Sequence, residues 1–257
     1  MKSLVWTSLS LLLLMPLSAQ AQTGREIVRK VETLHKAKDE RTTIEMQLIT
    51  KTGKRDRKLS MLFKEGKGDD DKTLLRFLEP DTVRNLAVLT LEATGRSDDQ
   101  YLYVPAFKKA RRLASSKRSN RFAQTDFTFE DLRTEDFSAF DYKRLKDKTL
   151  NKTLCFVIKA TPKAKNTNSG YKKRLLYVEQ KRHLTLRIKF YDKKSGEHFK
   201  TLTNGRYAKV QGKWRPTVSL MKDSVRKSKT VMKFVDRKLN KGVPDSLFTV
   251  SALERGM

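Results

Sequence analysis

Residues 183–191 read His-Leu-Thr-Leu-Arg-Ile-Lys-Phe-Tyr, with Leu184, Leu186, Ile188 and Phe190 on alternate positions and Thr185, Arg187, Lys189 and Tyr191 between them. A period of two sends successive side chains to opposite faces of a strand, so the run predicts an antiparallel sheet that is wet on one side. The pattern recurs along most of the chain. Ile44, Met46 and Leu48 alternate with polar residues, a turn follows at Thr52-Gly53, and Leu59, Met61 and Phe63 alternate again, which is a hairpin with one apolar face. Further strands are expected at 73–79, 86–92, 99–104, 140–147, 153–160, 171–180, 198–209, 213–222 and 228–238, with turn residues at Lys194-Ser195-Gly196 and Gln211-Gly212. Connections this short favour a β-meander over βαβ units.

One helix precedes the strands. Ile27, Val28, Val31 and Leu34 recur at helical spacing, Thr23 stands at the N-cap position, and Glu26 three residues on completes a capping-box pattern. The helix is expected to end near Lys38-Asp39. At the other end of the chain, Pro244-Asp245-Ser246-Leu247-Phe248 reads as a turn or one-turn helix that docks Leu247 and Phe248.

The first residues read as an address. Lys2, the apolar stretch Leu4 to Leu17 and the small-x-small pattern Ala19-Gln20-Ala21 describe a cleavable signal peptide over residues 1–21, which leaves a single domain, 22–257, exported to the periplasm. The apolar run is shorter than the ~20 residues that span a bilayer. Cys155 is the sole cysteine, so the domain holds together without a disulfide and the thiol is expected to be an inert core group. With 57 Lys and Arg against 29 Asp and Glu the net charge is +28. Loss of the leader removes only Lys2 among the charged groups and leaves +27. That surface disfavours close self-association at low salt, so a monomer is expected. His35, His183 and His198 lack metal-ligand spacing, and neither a Gly-x-Ser-x-Gly elbow nor a phosphate-binding glycine loop occurs. No enzyme, metal or cofactor is indicated. Asp69-Asp70-Asp71 lacks the glycine and distal glutamate of a calcium loop and reads as a solvated hairpin tip.

Residues 105–136 break the alternation. Lys108, Lys109, Arg111, Arg112, Lys117, Arg118 and Arg121 come without an intervening acid; Asp126, Glu130, Asp131, Glu135 and Asp136 then follow, threaded by Phe122, Phe127 and Phe129. Such a stretch predicts a loop-helix insertion over the sheet in which opposite charges neutralise one another. Here the sequence also resembles a known family. Phe77-Leu78-Glu79-Pro80, Asp98-Asp99-Gln100-Tyr101-Leu102-Tyr103-Val104-Pro105, Arg111-Arg112-Leu113-Ala114-Ser115-Ser116, Arg118-Ser119, Asp126-Phe127-Thr128-Phe129-Glu130-Asp131 and the closing Pro244-Asp245-Ser246-Leu247-Phe248-Thr249 are similar to the LolA/LolB-like outer-membrane lipoprotein-sorting family, in its subgroup beside RND-type (MMPL-like) exporters. The resemblance covers nearly all of the mature chain. It implies a mainly β, unclosed antiparallel half-barrel of about eleven strands, with helices plugging the concave face to form a cavity for acyl chains. Family members commonly have glycine near the position of Asn85, and that departure puts the local turn in question.

On this reading Leu48, Met61, Phe63, Leu89, Leu186, Ile188 and Phe190 line a lipid-binding cavity, although alternation by itself is equally compatible with a solidly filled core. Arg111, Arg112 and Arg118 either read anionic headgroups or a partner at the rim, or pair internally with Asp126, Glu130 and Asp131. The implied role is a non-enzymatic periplasmic carrier of lipid or lipoprotein acyl chains that works with an inner-membrane RND/MMPL-type transporter and an outer-membrane acceptor. The alternative is an accessory adaptor of such a transporter that holds no lipid. Basic and aromatic residues interleave around Tyr101, Tyr103 and Phe107, but export argues against nucleic acid as a partner.

Overall fold

The structure is a computed structural model describing residues 22–68, 70–94, 96–133, 137–163 and 168–256; the leader expected at 1–21 lies outside them, as do Asp69, Glu135 and Asp136. Alternating sequence becomes strand throughout. The strands are β1 (Asp39–Thr50), β2 (Gly53–Lys64), β3 (Lys72–Glu79), β4 (Ala87–Leu91), β5 (Asp99–Val104), β6 (Lys109–Arg112), β7 (Phe140–Leu150), β8 (Thr153–Pro162), β9 (Tyr171–Glu179), β10 (Thr185–Asp192), β11 (His198–Val210), β12 (Lys213–Asp223) and β13 (Ser228–Leu239). They form one antiparallel sheet in the order β6-β5-β4-β3-β2-β1-β13-β12-β11-β10-β9-β8-β7. Two meanders are joined where β1 pairs with β13, Ile44 opposite Phe234 and Met46 opposite Met232. β6 and β7 are the two edges, so the sheet is unclosed. Thirteen strands exceed the eleven or so implied by the family resemblance, in part because Lys109–Arg112, read as insertion, pairs with β5.

Each face has its own cover. We call inner the face that carries Ile44, Met46 and Leu48 of β1 with Leu59 of β2, Leu75 and Phe77 of β3 and Met232 of β13. Helix α1 (Gly24–Leu34) lies on the inner side of β7–β9, where Ile27 and Val28 pack with Phe140, Ile158, Leu176 and Val178. Its start is set as the sequence predicts: Glu26 N donates to Thr23 Oγ1 at 3.2 Å and Thr23 N donates to Glu26 Oε2 at 2.8 Å. The centre of the inner face is closed by the irregular chain between β6 and β7, whose described residues form 3-10 turns at Ser115–Lys117, Glu130–Leu132 and Phe137–Ala139 and an isolated bridge between Arg121 and Thr128. The plug is therefore one helix plus a loop. A short second helix, α2 (Val250–Arg255), covers the outer face of β3–β5 through Leu253, joined by Phe248 and Leu247 from the turn before it.

Two turns differ from their sequence reading or clarify it. Asp71 is 2% exposed rather than solvated; it pairs with Lys36 at 3.0 Å and accepts from Gly66 N at 3.1 Å, and burial pushes its carboxyl upward. Asp70 accepts from Thr94 N and Oγ1 at 2.6 and 2.7 Å, so the acids staple loops together. Asn85 takes φ 65°, the left-handed region that favours glycine and that asparagine tolerates, and donates its N–H to Phe77 O at 2.9 Å.

Candidate functional site

Between the inner face and the insertion lies a cavity of about 340 Å³. Its floor is Ile44 of β1, Met61 and Phe63 of β2, Thr73 and Leu75 of β3, and Met232 and Phe234 of β13. These residues fall together because β3-β2-β1-β13 are consecutive in the sheet and the alternation is in register across all four. Phe127 and Leu132 of the insertion form the opposite wall, Ala37 closes one end, and Lys36, Glu40, Asp131, Arg133 and Arg215 supply its polar parts. The charges are compensated within the protein: Arg215 Nε meets Glu40 Oε2 at 2.9 Å, and Arg133 Nε donates to Asp98 Oδ2 at 2.6 Å. Among the described residues no group of three or more His, Cys, Asp and Glu is placed to hold a metal ion.

The run Asp126–Asp131 sets that wall. Its phenylalanines point into the core, where Phe127 and Phe129 are 6% and 7% exposed beside Phe122 and the inner-face residues. Each such ring contributes roughly 1.5–3 kcal/mol by leaving water. The acids point to the far half of the sheet. Asp126 accepts from Ser228 Oγ and Thr230 Oγ1 at 2.5 and 2.8 Å. Glu130 accepts from Arg174 Nη2 at 2.8 Å, Ser169 Oγ at 2.6 Å and Gly170 N at 2.8 Å. Asp131 accepts from Lys200 Nζ at 2.5 Å, Thr128 N at 2.7 Å and Tyr171 OH at 2.7 Å. Burial alone would raise the Asp131 carboxyl, but the Lys200 ammonium and these hydrogen bonds hold it below the usual range, while burial drives the Tyr171 phenol well up. A buried pair of this kind specifies position more than it adds stability.

The residues singled out from the sequence separate into three groups. Met61 and Phe63 line the cavity. Leu48, Ile188 and Phe190 are on the inner face, yet Leu48 and Phe190 are 4% and 3% exposed within the packed core and all three lie outside the cavity wall. Leu89 and Leu186 are on the outer face. Leu89 is fully buried beneath α2 with Leu62 and Leu74. A bulge between Thr185 and Arg187 turns Leu186 toward Cys155, Val157 and Tyr177.

Arg118 is 6% exposed and donates to Asp98 O at 2.5 Å, so it is an internal brace rather than a rim cation; burial lowers its pKa. Arg112 on the edge strand donates from Nε to Asp99 Oδ1 at 2.7 Å. Arg111 stacks its guanidinium 5.1 Å from the centre of the exposed Phe107 ring. The acids expected to neutralise these arginines instead meet Lys200, Arg174 and hydroxyls from β9, β11 and β13. Met232, Phe234, Leu132, Arg133 and Arg215 were not foreseen as wall residues; the alternation at 228–238 marks Met232 and Phe234 as one face, but only the β1–β13 pairing brings them to Ile44.

A family profile described as uncharacterized protein matches residues 69–255. A comparison with curated proteins found no match. Among solved structures, one described as an outer membrane lipoprotein-sorting protein domain from Vibrio parahaemolyticus is 30% identical, with 90% of this chain and 98% of that chain covered and a TM-score of 0.86. A DUF1329 family protein from Desulfovibrio piger is 24% identical over 90% of this chain and 97% of its own, with a TM-score of 0.85. A LolA superfamily protein from Nitrosomonas europaea shares the fold at 21% identity and a TM-score of 0.72, over 89% and 98% of the two chains. With nearly the whole Vibrio domain matched at that identity, the chain belongs to the outer membrane lipoprotein-sorting family, and it shares the LolA fold.

Proposed function

We propose that this protein is a periplasmic, non-enzymatic carrier that holds an acyl chain of a lipid or lipoprotein in the inner-face cavity. The observation that carries the reading is the cavity itself: an apolar space between Ile44, Met61, Phe63, Leu75, Met232 and Phe234 on one side and Phe127 and Leu132 on the other, in a lipoprotein-sorting fold. Its volume of about 340 Å³ falls near the lower end of the ~300–1,000 Å³ typical of ligand sites. At ~30 Å³ for each water-sized group, it takes about ten methylenes, which is one chain rather than a bundle. At ~0.8 kcal/mol per methylene the gross gain is about 8 kcal/mol, and the cost of ordering a flexible chain leaves affinity at or weaker than micromolar. Cargo held that loosely can be passed on, which suits transfer driven by differences in affinity along a route. In this proposal the cargo comes from an inner-membrane RND-type exporter and passes to an outer-membrane acceptor.

Native mass spectrometry of protein isolated from its own periplasm, together with titration of the delipidated protein with a fluorescent fatty acid, tests the carrier role. Co-purified lipid and saturable binding that Met61→Glu weakens at least tenfold are expected. A folded, empty protein whose fatty-acid binding is indifferent to Met61→Glu would remove the carrier reading.

A further inference from the structure

The outer face carries a row of charge that the cavity does not use. Following the cross-strand partners from β7 to β2 gives Lys143, Lys159, Leu175, Lys189, Thr201, Lys222, Lys229, Ile49 and Lys54, each directly opposite the next. Six of nine positions are lysine and none is acidic. At ~4.8 Å per strand the row spans about 38 Å of sheet. Lys54, Lys143, Lys222 and Lys229 are exposed, Lys159 and Lys189 half-buried, and none of the six forms an ion pair with an acid among the described residues.

This arrangement is not a general property of the sheet. Farther along the same face, Lys233, Glu45, Lys58 and Glu79 follow one another with alternating sign, and Lys58 reaches Glu79 at 3.7 Å. In the lysine row Lys143 faces Lys159 and Lys222 faces Lys229, and like charges directly opposed destabilise a sheet. α2 lies over β3–β5, so among the described residues no helix covers this part of the outer face.

The row lies toward the end of the sheet where the β1–β2, β10–β11 and β12–β13 hairpins turn. At the tip of the last, Val225 is 75% exposed and is followed by the exposed Arg226 and Lys227. Of the acids beside these turns, Asp192 accepts from Lys194 N and Ser195 N, Asp223 from Arg226 N and Asp56 from Gln47 Nε2, while Glu197 is exposed and outnumbered by the surrounding lysines. An apolar residue held out among cations fits an interface with headgroups outside and acyl chains within. Lysine is a compact point charge suited to a diffuse anionic surface; a partner read by individual phosphate forks would call for arginine.

We propose that this end and the outer-face lysine row dock the protein on an anionic phospholipid bilayer. The cavity opens on the inner face, with Met61 and Phe63 near the opposite end of β2 and Met232 and Phe234 in the middle of β13, so the sheet itself separates it from the docked face. Docking does not depend on what fills the cavity, so it stands or falls separately from the carrier role.

Sedimentation of the purified protein with vesicles of phosphatidylglycerol and phosphatidylcholine, against phosphatidylcholine alone, tests it. Binding is expected only to the anionic vesicles at low salt. Lys222→Gln with Lys229→Gln should weaken it about 25-fold, at about fivefold per lysine. Lys209→Gln with Lys238→Gln, at the other end of the sheet, should have a much smaller effect. Val225→Asp should weaken vesicle binding while leaving binding to dextran sulfate unchanged, and unchanged melting temperatures show that the variants are folded. No binding to the anionic vesicles, equal losses in the two lysine pairs, or vesicle binding indifferent to Val225→Asp would each overturn the proposal; the last would mean a general polyanion surface.

Discussion

Asp131 shows how one side chain ties charge, packing and site together. Its carboxylate is buried against Lys200 and lines the cavity, and its pKa lies below the ordinary carboxylate value. A group depressed on folding adds stability that is complete above its unfolded pKa of ~3.9 and is lost as pH falls through the folded value. Asp131→Asn should therefore cost about 3–5 kcal/mol near neutral pH, because it strands the Lys200 ammonium in the core. The gap between wild type and variant should be constant above about pH 4 and shrink below it. Urea melts at a series of pH values measure this, and a gap that widens in acid would contradict the assignment.

At the level of elements, the start of α1 makes two neighbouring residues behave differently. Thr23→Ala removes one cap bond and should cost about 1 kcal/mol, a fall of roughly 2–4 °C in Tm. Gly24→Ala introduces the better helix former by ~1 kcal/mol, yet a Cβ there would meet Arg144 N at 2.8 Å and Tyr142 O at 2.9 Å, both backbone atoms of β7. It should lower Tm further than Thr23→Ala does; a gain would mean that β7 yields easily.

Strand-level features also decide what the sequence could reveal. The hairpin Ile44–Phe63 was legible because Ile44, Met46 and Leu48 and then Leu59, Met61 and Phe63 stand on alternate positions, and one tight turn sets a register without a shift. Leu186 was misassigned because a bulge leaves no mark on hydrophobic alternation, and it moves one residue to the other face. Leu89 was misassigned because β4 is covered on both faces, by the insertion and by α2, so both sets of side chains are apolar. The pairing of β1 with β13, which builds half of the cavity floor, joins residues about 190 positions apart and no local signal encodes it. Accordingly Leu186→Glu should perturb the outer cluster around Cys155 and lower Tm while leaving fatty-acid affinity of the folded protein within about twofold. Met61→Glu should do the reverse in affinity.

For the molecule as a whole, the unclosed sheet has two faces governed by different forces. The inner face buries an oily space whose few charges are neutralised by partners within the fold, so capture of an acyl chain follows buried area. The outer face carries unpaired lysines on a chain of net charge +28, so its associations follow Coulomb attraction and are screened. The screening length falls from ~10 Å at 0.1 M salt to ~3 Å at 1 M, shorter than the spacing between neighbouring strands. Raising sodium chloride from about 0.05 to 0.5 M should thus reduce association with anionic vesicles by more than about tenfold while changing the fatty-acid Kd by less than about twofold. Both are measurable on one protein preparation, by sedimentation and by fluorescence titration. A parallel fall in the two affinities would mean that acyl capture is itself electrostatic, and that the rim cations Lys36, Arg133 and Arg215, not the apolar walls, select the cargo.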